Sequence, residues 1–197
     1  TIGQYAFQSS GLTSVTIPAG TSVIDKQAFD DCKALASVAF AEGTAALSIN
    51  DYAFRKTGVT VIDIPARVTN LKSSAFYGCT ALTRVNFEDG NSGLTLGSSV
   101  FYGCTALTTV SLPDKRVTSI GTSMFSGCKN LTNLLYGNIT AIGANAFNST
   151  ALTEITIPTS CTSIGAGAFA GCTKLTKFTV AADHPNYGTY EIAEGQY

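Results

Sequence analysis

The chain has little charge and few of the residues that carry out chemistry. Only 13% of its 197 residues are Asp, Glu, Lys or Arg, where a quarter is usual, and it has one histidine, one methionine and no tryptophan. Twelve basic and thirteen acidic side chains give a net charge of −1, and neither sign forms a block. A basic patch is what a protein uses to grip nucleic acid, so no nucleic-acid partner is expected. No apolar run approaches the ~18 residues of a membrane-spanning helix, so no membrane insertion is expected in this segment. With one histidine and no Cys-x-x-Cys pair, zinc has few ligands to draw on, and neither a metal nor a cofactor is expected. A nucleophile–histidine–acid triad would have to use His184, beside Asp183 and Pro185 in the last stretch of the chain. Such a loop histidine reads as a solvated side chain, so no catalytic residue is assigned.

Apolar residues make up 45% of the chain, which with so little charge argues against disorder and for an ample core. That apolar content recurs at a fixed period. Phenylalanine stands at 7, 29, 54, 76, 101, 125, 147 and 169, at spacings of 22 to 25 residues. Five residues before each comes an aliphatic, from Ile2 to Ile164, and directly before it comes Ala in six copies, with Val100 and Met124 as exceptions. After it comes Leu-x-x-Val-x-Ile or a near relative, as in Leu82/Val85/Phe87 and Leu107/Val110/Leu112. A unit this small cannot bury its apolar face alone, whereas stacked units turn each position into a continuous column of one core.

The Val-x-Ile part alternates apolar and polar, is rich in β-branched residues and is often closed by Pro18, Pro65, Pro113 or Pro158. It reads as one short strand per repeat, parallel to its neighbours and about 4.8 Å from them. Glycine four before the phenylalanine in five repeats, with Asp25 and Asn50 in two more, suggests a left-handed backbone there, although Lys72 breaks the series. The Gly-x-x-Ala-Phe segment has room for one turn of 3₁₀ or α-helix at most. Repeats one, three and seven are one residue shorter after the phenylalanine and carry Ser10, Thr57 and Thr150 where the others carry Cys32, Cys79, Cys104, Cys128 and Cys172. Extra residues at Ala41–Thr44, Glu88–Gly93 and Asp114–Arg116 all fall on one rim of the stack.

The pattern Ile-Gly-x-x-Ala-Phe-x-x-Cys-x-x-Leu-x-x-Val-x-Ile-Pro, clearest from Ile164 to Val180, resembles the BspA-type leucine-rich repeat. The resemblance covers essentially the whole chain. It implies a leucine-rich-repeat solenoid of α/β type, predominantly β. A parallel sheet would carry one strand per repeat, with short strands or 3₁₀ turns on the opposite side. Residues 1–180 would form a single domain of eight repeats. Val180–Tyr187 is similar to the Asn-Pro-Asn-Tyr segment that leads into an insertion in longer members, so 181–197 reads as the start of a terminal insertion or hairpin. The first residues match the interior of a repeat, and no signal peptide is present, so the chain reads as part of a longer protein. The family implies secreted or cell-surface proteins of host-associated microbes that bind proteins and mediate adhesion, and it supplies no catalytic residue.

Several positions remain as candidates. In a column of parallel strands the cysteine Cα atoms sit at a disulfide-compatible spacing, but their Cβ vectors are parallel, so free buried thiols acting as small hydrophobes are favoured. Cys161 takes the place of Val68 and Val117 and also reads as core. Asn130, Asn138 and Asn148 begin Asn-x-Thr sequons, which matter only in a secretory eukaryote. A column of threonines (13, 60, 83, 108, 132, 153 and 176) is expected to set its hydroxyls against backbone groups where each strand begins. Outward strand positions are small, polar and mostly uncharged, and the candidate protein-binding face consists of Asp63, Arg84, Asn86, Thr109, Asn133, Glu154 and Lys177. Asp63 with Arg84, and Glu154 with Lys177, are expected as cross-strand pairs. The functional reading is a non-enzymatic protein-binding and adhesion module with a host or cell-surface protein as partner. The alternative is a structural spacer that presents another domain.

Overall fold

The structure, a computed structural model, describes residues 1–90, 93–182, 184 and 185. Fifteen short strands follow one another: β1 (Ser14–Ile17), β2 (Val23–Ile24), β3 (Ser37–Phe40), β4 (Leu47–Ile49), β5 (Val61–Ile64), β6 (Val68–Leu71), β7 (Arg84–Phe87) and β8 (Thr95–Leu96). Then come β9 (Thr109–Ser111), β10 (Ser119–Ile120), β11 (Asn133–Leu135), β12 (Ala141–Ile142), β13 (Glu154–Ile157), β14 (Ser163–Ile164) and β15 (Lys177–Val180). There is no helix among the described residues. Every pairing is parallel, and the chain winds as a β-solenoid with two strand faces and a third face of turns.

The odd-numbered strands form the first face as the sheets β1-β3, β5-β7-β9-β11 and β13-β15. In-register pairing of Ile62, Val85, Val110 and Leu134 makes one inward column, as the two-residue alternation requires. The even-numbered strands form the second face as β2-β4-β6-β8 and β10-β12-β14. These are the aliphatics that stand five residues before each phenylalanine.

The third face explains how a turn-rich segment stacks at all. Alternate amides donate to the next repeat: Tyr5 to Lys26, Phe7 to Ala28 and Ser9 to Asp30, at 3.2, 2.8 and 2.8 Å. The amides between them reach back three residues, as Ala6 to Gly3 and Gln8 to Tyr5. The segment is therefore half turn and half intermolecular-style ladder, and its backbone needs satisfy one another without a helix. This zigzag puts the left-handed residues two before and two after each phenylalanine, not four before as the glycines suggested. Tyr5, Gln27, Tyr52, Ser74, Ser99, Ser123 and Asn145, with φ of 52 to 59°, and Gly167 hold the first set, and Gly78, Gly103, Gly127 and Gly171 hold part of the second. A non-glycine residue there costs of order 1–2 kcal/mol, and the two flanking ladder bonds hold it in place.

Four of the five glycines that stand four before the phenylalanine, all but Gly3, serve close approach instead. A Cβ on Gly97 would lie 2.5 Å from the amide nitrogen of Ser73, and one on Gly165 would lie 2.3 Å from that of Ala144. In the second half of the solenoid the turn of one repeat thus rests directly on the backbone of the repeat before.

The core is a stack of rings. Phe7, Phe29, Phe54, Phe76, Phe101, Phe125, Phe147 and Phe169 lie nearly parallel, with centroids 5.1 to 5.8 Å apart. The middle six are fully buried, and Phe178 closes the column edge-on to Phe169 at 5.7 Å. The solenoid expected from the repeat pattern is the one observed.

Candidate binding face

The first strand face presents the candidate residues where alternation places them. Asp63, Arg84, Asn133, Glu154 and Lys177 are exposed, and Asn86 and Thr109 are half-buried. Their pairing differs in part from expectation. Arg84 lies opposite Val61 and Thr109, whereas Asp63 lies opposite Asn86 and accepts a hydrogen bond from its Nδ2. No ion pair joins Asp63 to Arg84 among the described residues, because a parallel register sets each residue against its own counterpart, two positions away from a diagonal partner. Glu154 and Lys177 do pair, Oε2 to Nζ at 3.5 Å, both 69% exposed, a contact that contributes little.

The threonine column behaves as expected. Thr83, Thr108 and Thr176 each donate from Oγ1 to the carbonyl of the threonine one repeat earlier, at 2.9, 3.2 and 3.3 Å. A second column, Thr118, Thr140 and Thr162, repeats the device on the other face. All six cysteines are buried and free, and their role is more specific than that of a small hydrophobe. The Sγ atoms of Cys32, Cys79, Cys104, Cys128 and Cys172 each donate to the carbonyl of the previous repeat's phenylalanine, at 2.9 to 3.2 Å. Where that previous repeat is a short one, its Ser10, Thr57 or Thr150 hydroxyl also meets the sulfur at 3.3 Å. Burial pushes the Cys79 thiol up to about 11 and the Cys128 thiol up to about 12, so these are not nucleophiles near neutral pH.

Three polar features were not expected. Arg116, only 2% exposed, donates to the carbonyls of Glu88, Ala66 and Val68 at 2.8, 2.9 and 2.6 Å. Arg67, 8% exposed, reaches Thr21, Ala45 and Pro18 in the same way. Each guanidinium spans two earlier repeats and ties together the rim loops where the extra residues lie. On the turn face the buried Asp30 carboxylate accepts a bidentate pair from Arg55 at 2.7 and 2.8 Å, and further bonds from Gln27 and Gln8. Burial pushes this carboxyl up, but the bonds from Arg55, Gln27 and Gln8 outweigh it, and it sits below the ordinary value. The third is His184, which is buried rather than solvated and donates from Nε2 to the Cys161 carbonyl at 2.8 Å. It stands four residues after Val180, as Cys161 stands four after Ile157, and so fills the same corner position of a further turn. Asp183 and residues 186–197, with the expected terminal insertion, lie outside the described residues.

Neither β3 and β5 nor β11 and β13 form a ladder, so the first strand face is interrupted twice. At the second break the cause is local. Repeat six has three steps from its last strand core position, Tyr136, to the next corner position, Ile139, where Ile64 to Val68 and Ile157 to Cys161 have four. Tyr136 also occupies the slot that holds Leu112 and Ile157 elsewhere, and alone among these residues it brings a hydroxyl there. The phenol lies in the break, donates to the Thr156 carbonyl and accepts from the Thr156 amide. Burial pushes its hydroxyl up to about 12, so it remains a donor. A cleft of about 860 Å³ results, lined by both strands, Asn138, Pro158 and Lys177, with Leu135 55% exposed at its rim.

A parallel solenoid with a ladder-built interior and a polar, variable strand face defines a repeat scaffold of the leucine-rich class. The family model for the BspA type leucine rich repeat region matches six copies, over residues 1–114 and 94–194, and the chain belongs to that family. No curated protein sequence matches it. Among solved structures it is similar to a leucine rich cell surface protein from Faecalibacterium prausnitzii A2-165, with 30% identity and a TM-score of 0.58 over 87% of this chain and 48% of that one. A leucine-rich repeat protein from Bacteroides ovatus ATCC 8483 is 26% identical, with a TM-score of 0.57 over 90% and 63%. The leucine rich repeat protein of T. pallidum is 27% identical, with a TM-score of 0.64 over 87% and 69%. The chain therefore spans about half the length of the first of these and under two thirds of the second.

Proposed function

We propose that the chain is a non-enzymatic protein-binding module of a secreted or cell-surface protein and that it contributes to adhesion through the first strand face. The observation that carries this reading is a division of labour among polar groups. Those of the scaffold, in the threonine columns, the thiols, Arg67, Arg116 and Asp30, are engaged by backbone or by one another. Arg84, Asn133, Glu154 and Lys177 stay exposed on a regular, rigid sheet, the arrangement a partner protein reads as side-chain pattern on a fixed frame. Membership of the BspA-type family and likeness to a cell surface protein support an extracellular or surface location. The partner is accordingly a host or cell-surface protein.

The test is a host-protein array together with a cell-adhesion assay. The intact protein is expected to bind, and the triple variant Asp63→Ala, Arg84→Ala, Asn86→Ala to bind at least about tenfold more weakly, the effect of losing some 1.4 kcal/mol. No binding in either assay by the intact protein refutes the reading. A spacer role is favoured by one observation, the greater length of the similar proteins. It predicts that the triple variant is silent while removal of two repeats changes the activity of the parent.

A further inference from the structure

The break between β11 and β13 is more than a defect in the sheet. In the parallel ladder, residues alternate in the direction of their main-chain groups. Asn133 and Leu135 bond to β9, through Asn133 N–H to Thr108 and Leu135 C=O to Leu112. Leu134 therefore turns its N–H and C=O toward β13. By the same parity Thr153 and Ile157 bond to β15, so Glu154 and Thr156 turn theirs toward β11. Tyr136 meets both groups of Thr156, while no backbone bond joins β11 to β13 among the described residues. Two facing strand edges are thus held open, and one phenol does part of the work of a missing strand. Turn-face bonds such as Phe125 N–H to Ala146, together with the β10-β12 pairing, keep repeats six and seven from separating.

We propose that this slot binds an extended segment of a partner protein as an added strand, paired through its main chain with Leu134 and Glu154 and admitted by displacement of the Tyr136 hydroxyl from Thr156. The charge of the lining selects the occupant. The one carboxylate and one ammonium at the mouth, Glu154 and Lys177, already neutralise each other at 3.5 Å, and the rest of the lining is uncharged: threonine, asparagine, Tyr136, Gly137, Pro158 and aliphatic side chains. An occupant of matching charge is a segment uncharged over its seated residues. It alternates small polar side chains facing out with apolar ones facing in, and the exposed Leu135 offers one of them a contact. An unpaired edge within a sheet is a strong template for such addition.

The inference rests on the reading of the strand face as a protein-binding surface, and its test separates the two. Random eight-residue peptides displayed on phage are selected against the chain. Enrichment of alternating, proline-free sequences is expected. Methylating alternate amide nitrogens of a selected peptide should weaken it about tenfold or more, the equivalent of one or two main-chain bonds. A closing variant, Tyr136→Ile with one serine inserted between Gly137 and Asn138, restores the four-step corner. It should lose the peptide while the Leu134 and Glu154 amides gain protection from hydrogen exchange. Tyr136→Phe, which keeps the ring and frees Thr156, should bind a few-fold more tightly. The Asp63→Ala, Arg84→Ala, Asn86→Ala variant should select the same peptides as the unaltered chain, whatever becomes of adhesion. Failure to enrich, indifference to methylation or persistence of binding in the closing variant overturns the proposal. So does concentration-dependent dimerisation that the closing variant abolishes, which would assign the slot to a second copy of the chain.

Discussion

Replacing Phe101 by alanine removes the middle of the ring stack. Phe101 has no solvent exposure and lies between Phe76 and Phe125, with centroids 5.8 and 5.7 Å away. Truncating a buried phenylalanine costs about 3–5 kcal/mol through lost transfer energy and the cavity left behind. Two lost stacking contacts, each about 0.5–1.5 kcal/mol beyond burial, keep Phe101 off the bottom of that range, at about 4 kcal/mol. Phe7 is the internal control. It has one stacking neighbour, Phe29 at 5.1 Å, and is 41% exposed, so Phe7→Ala should cost only about 1–2 kcal/mol by the same principles. Urea unfolding followed by far-ultraviolet circular dichroism reads both. At about 2–4 °C per kcal/mol for a chain of this size, the Phe101 variant should also melt some 8–16 °C lower. A loss below ~1 kcal/mol at Phe101, or an equal loss at the two positions, would refute the ring stack as the core.

Arg116→Met should lower stability by at least about 2 kcal/mol, because the carbonyls of Glu88, Ala66 and Val68 lose a buried donor; calorimetry checks it, and an unchanged melting temperature would mean that water replaces the guanidinium. Thiol titration with a disulfide reagent at pH 8 should find no fast-reacting cysteine in the folded chain and six after denaturation. Stability should be level from neutral pH to about 9 and then fall. Cys79 and Cys128 ionise from an ordinary value of 9.0 when unfolded but only at about 11 and about 12 when folded, so the unfolded chain releases protons first. Replacing both by alanine should flatten that decline. At the acid end the Asp30 carboxyl is held below its ordinary 3.8, so its contribution is present above that value and disappears as pH falls below it, and Asp30→Asn should remove that part of the acid transition.

The fold was legible because each scaffold column uses one residue type at one spacing, and burial enforces the choice. Phe76, Leu82 and Val85 each have an equivalent in the repeats on either side. The polar interior was harder to read, since it depends on where loops return in space. Arg67 sits in a strand-to-strand corner and Arg116 in a rim insertion, and both look like solvated loop residues until the carbonyls of two earlier repeats converge on them. His184 read as a loop residue for the same reason. Its position four after Val180, matching Cys161 after Ile157, was the available signal. Glycine is a poor mark of the left-handed positions here, because Tyr5, Ser74 and Asn145 adopt that conformation under the constraint of the stack. The β11–β13 break had a visible sign, one residue too few between Tyr136 and Ile139, but a length difference alone does not say whether a loop tightens or a sheet opens.

The contact between a short repeat's hydroxyl and the next repeat's thiol bears on how such a chain can lengthen. Ser10 meets Cys32, Thr57 meets Cys79 and Thr150 meets Cys172, so a short repeat and its long successor are complementary halves. Phe7 to Phe54 and Phe54 to Phe101 are both 47 residues, the length of one such couple. A duplication that copies a couple carries both halves of the contact with it. One that copies a single short repeat sets hydroxyl against hydroxyl and leaves the turn lengths mismatched. Repeats one to four and seven to eight are therefore three such couples, with the long repeats five and six between them, and chimeras joined at couple boundaries should fold more readily than those cut through a couple.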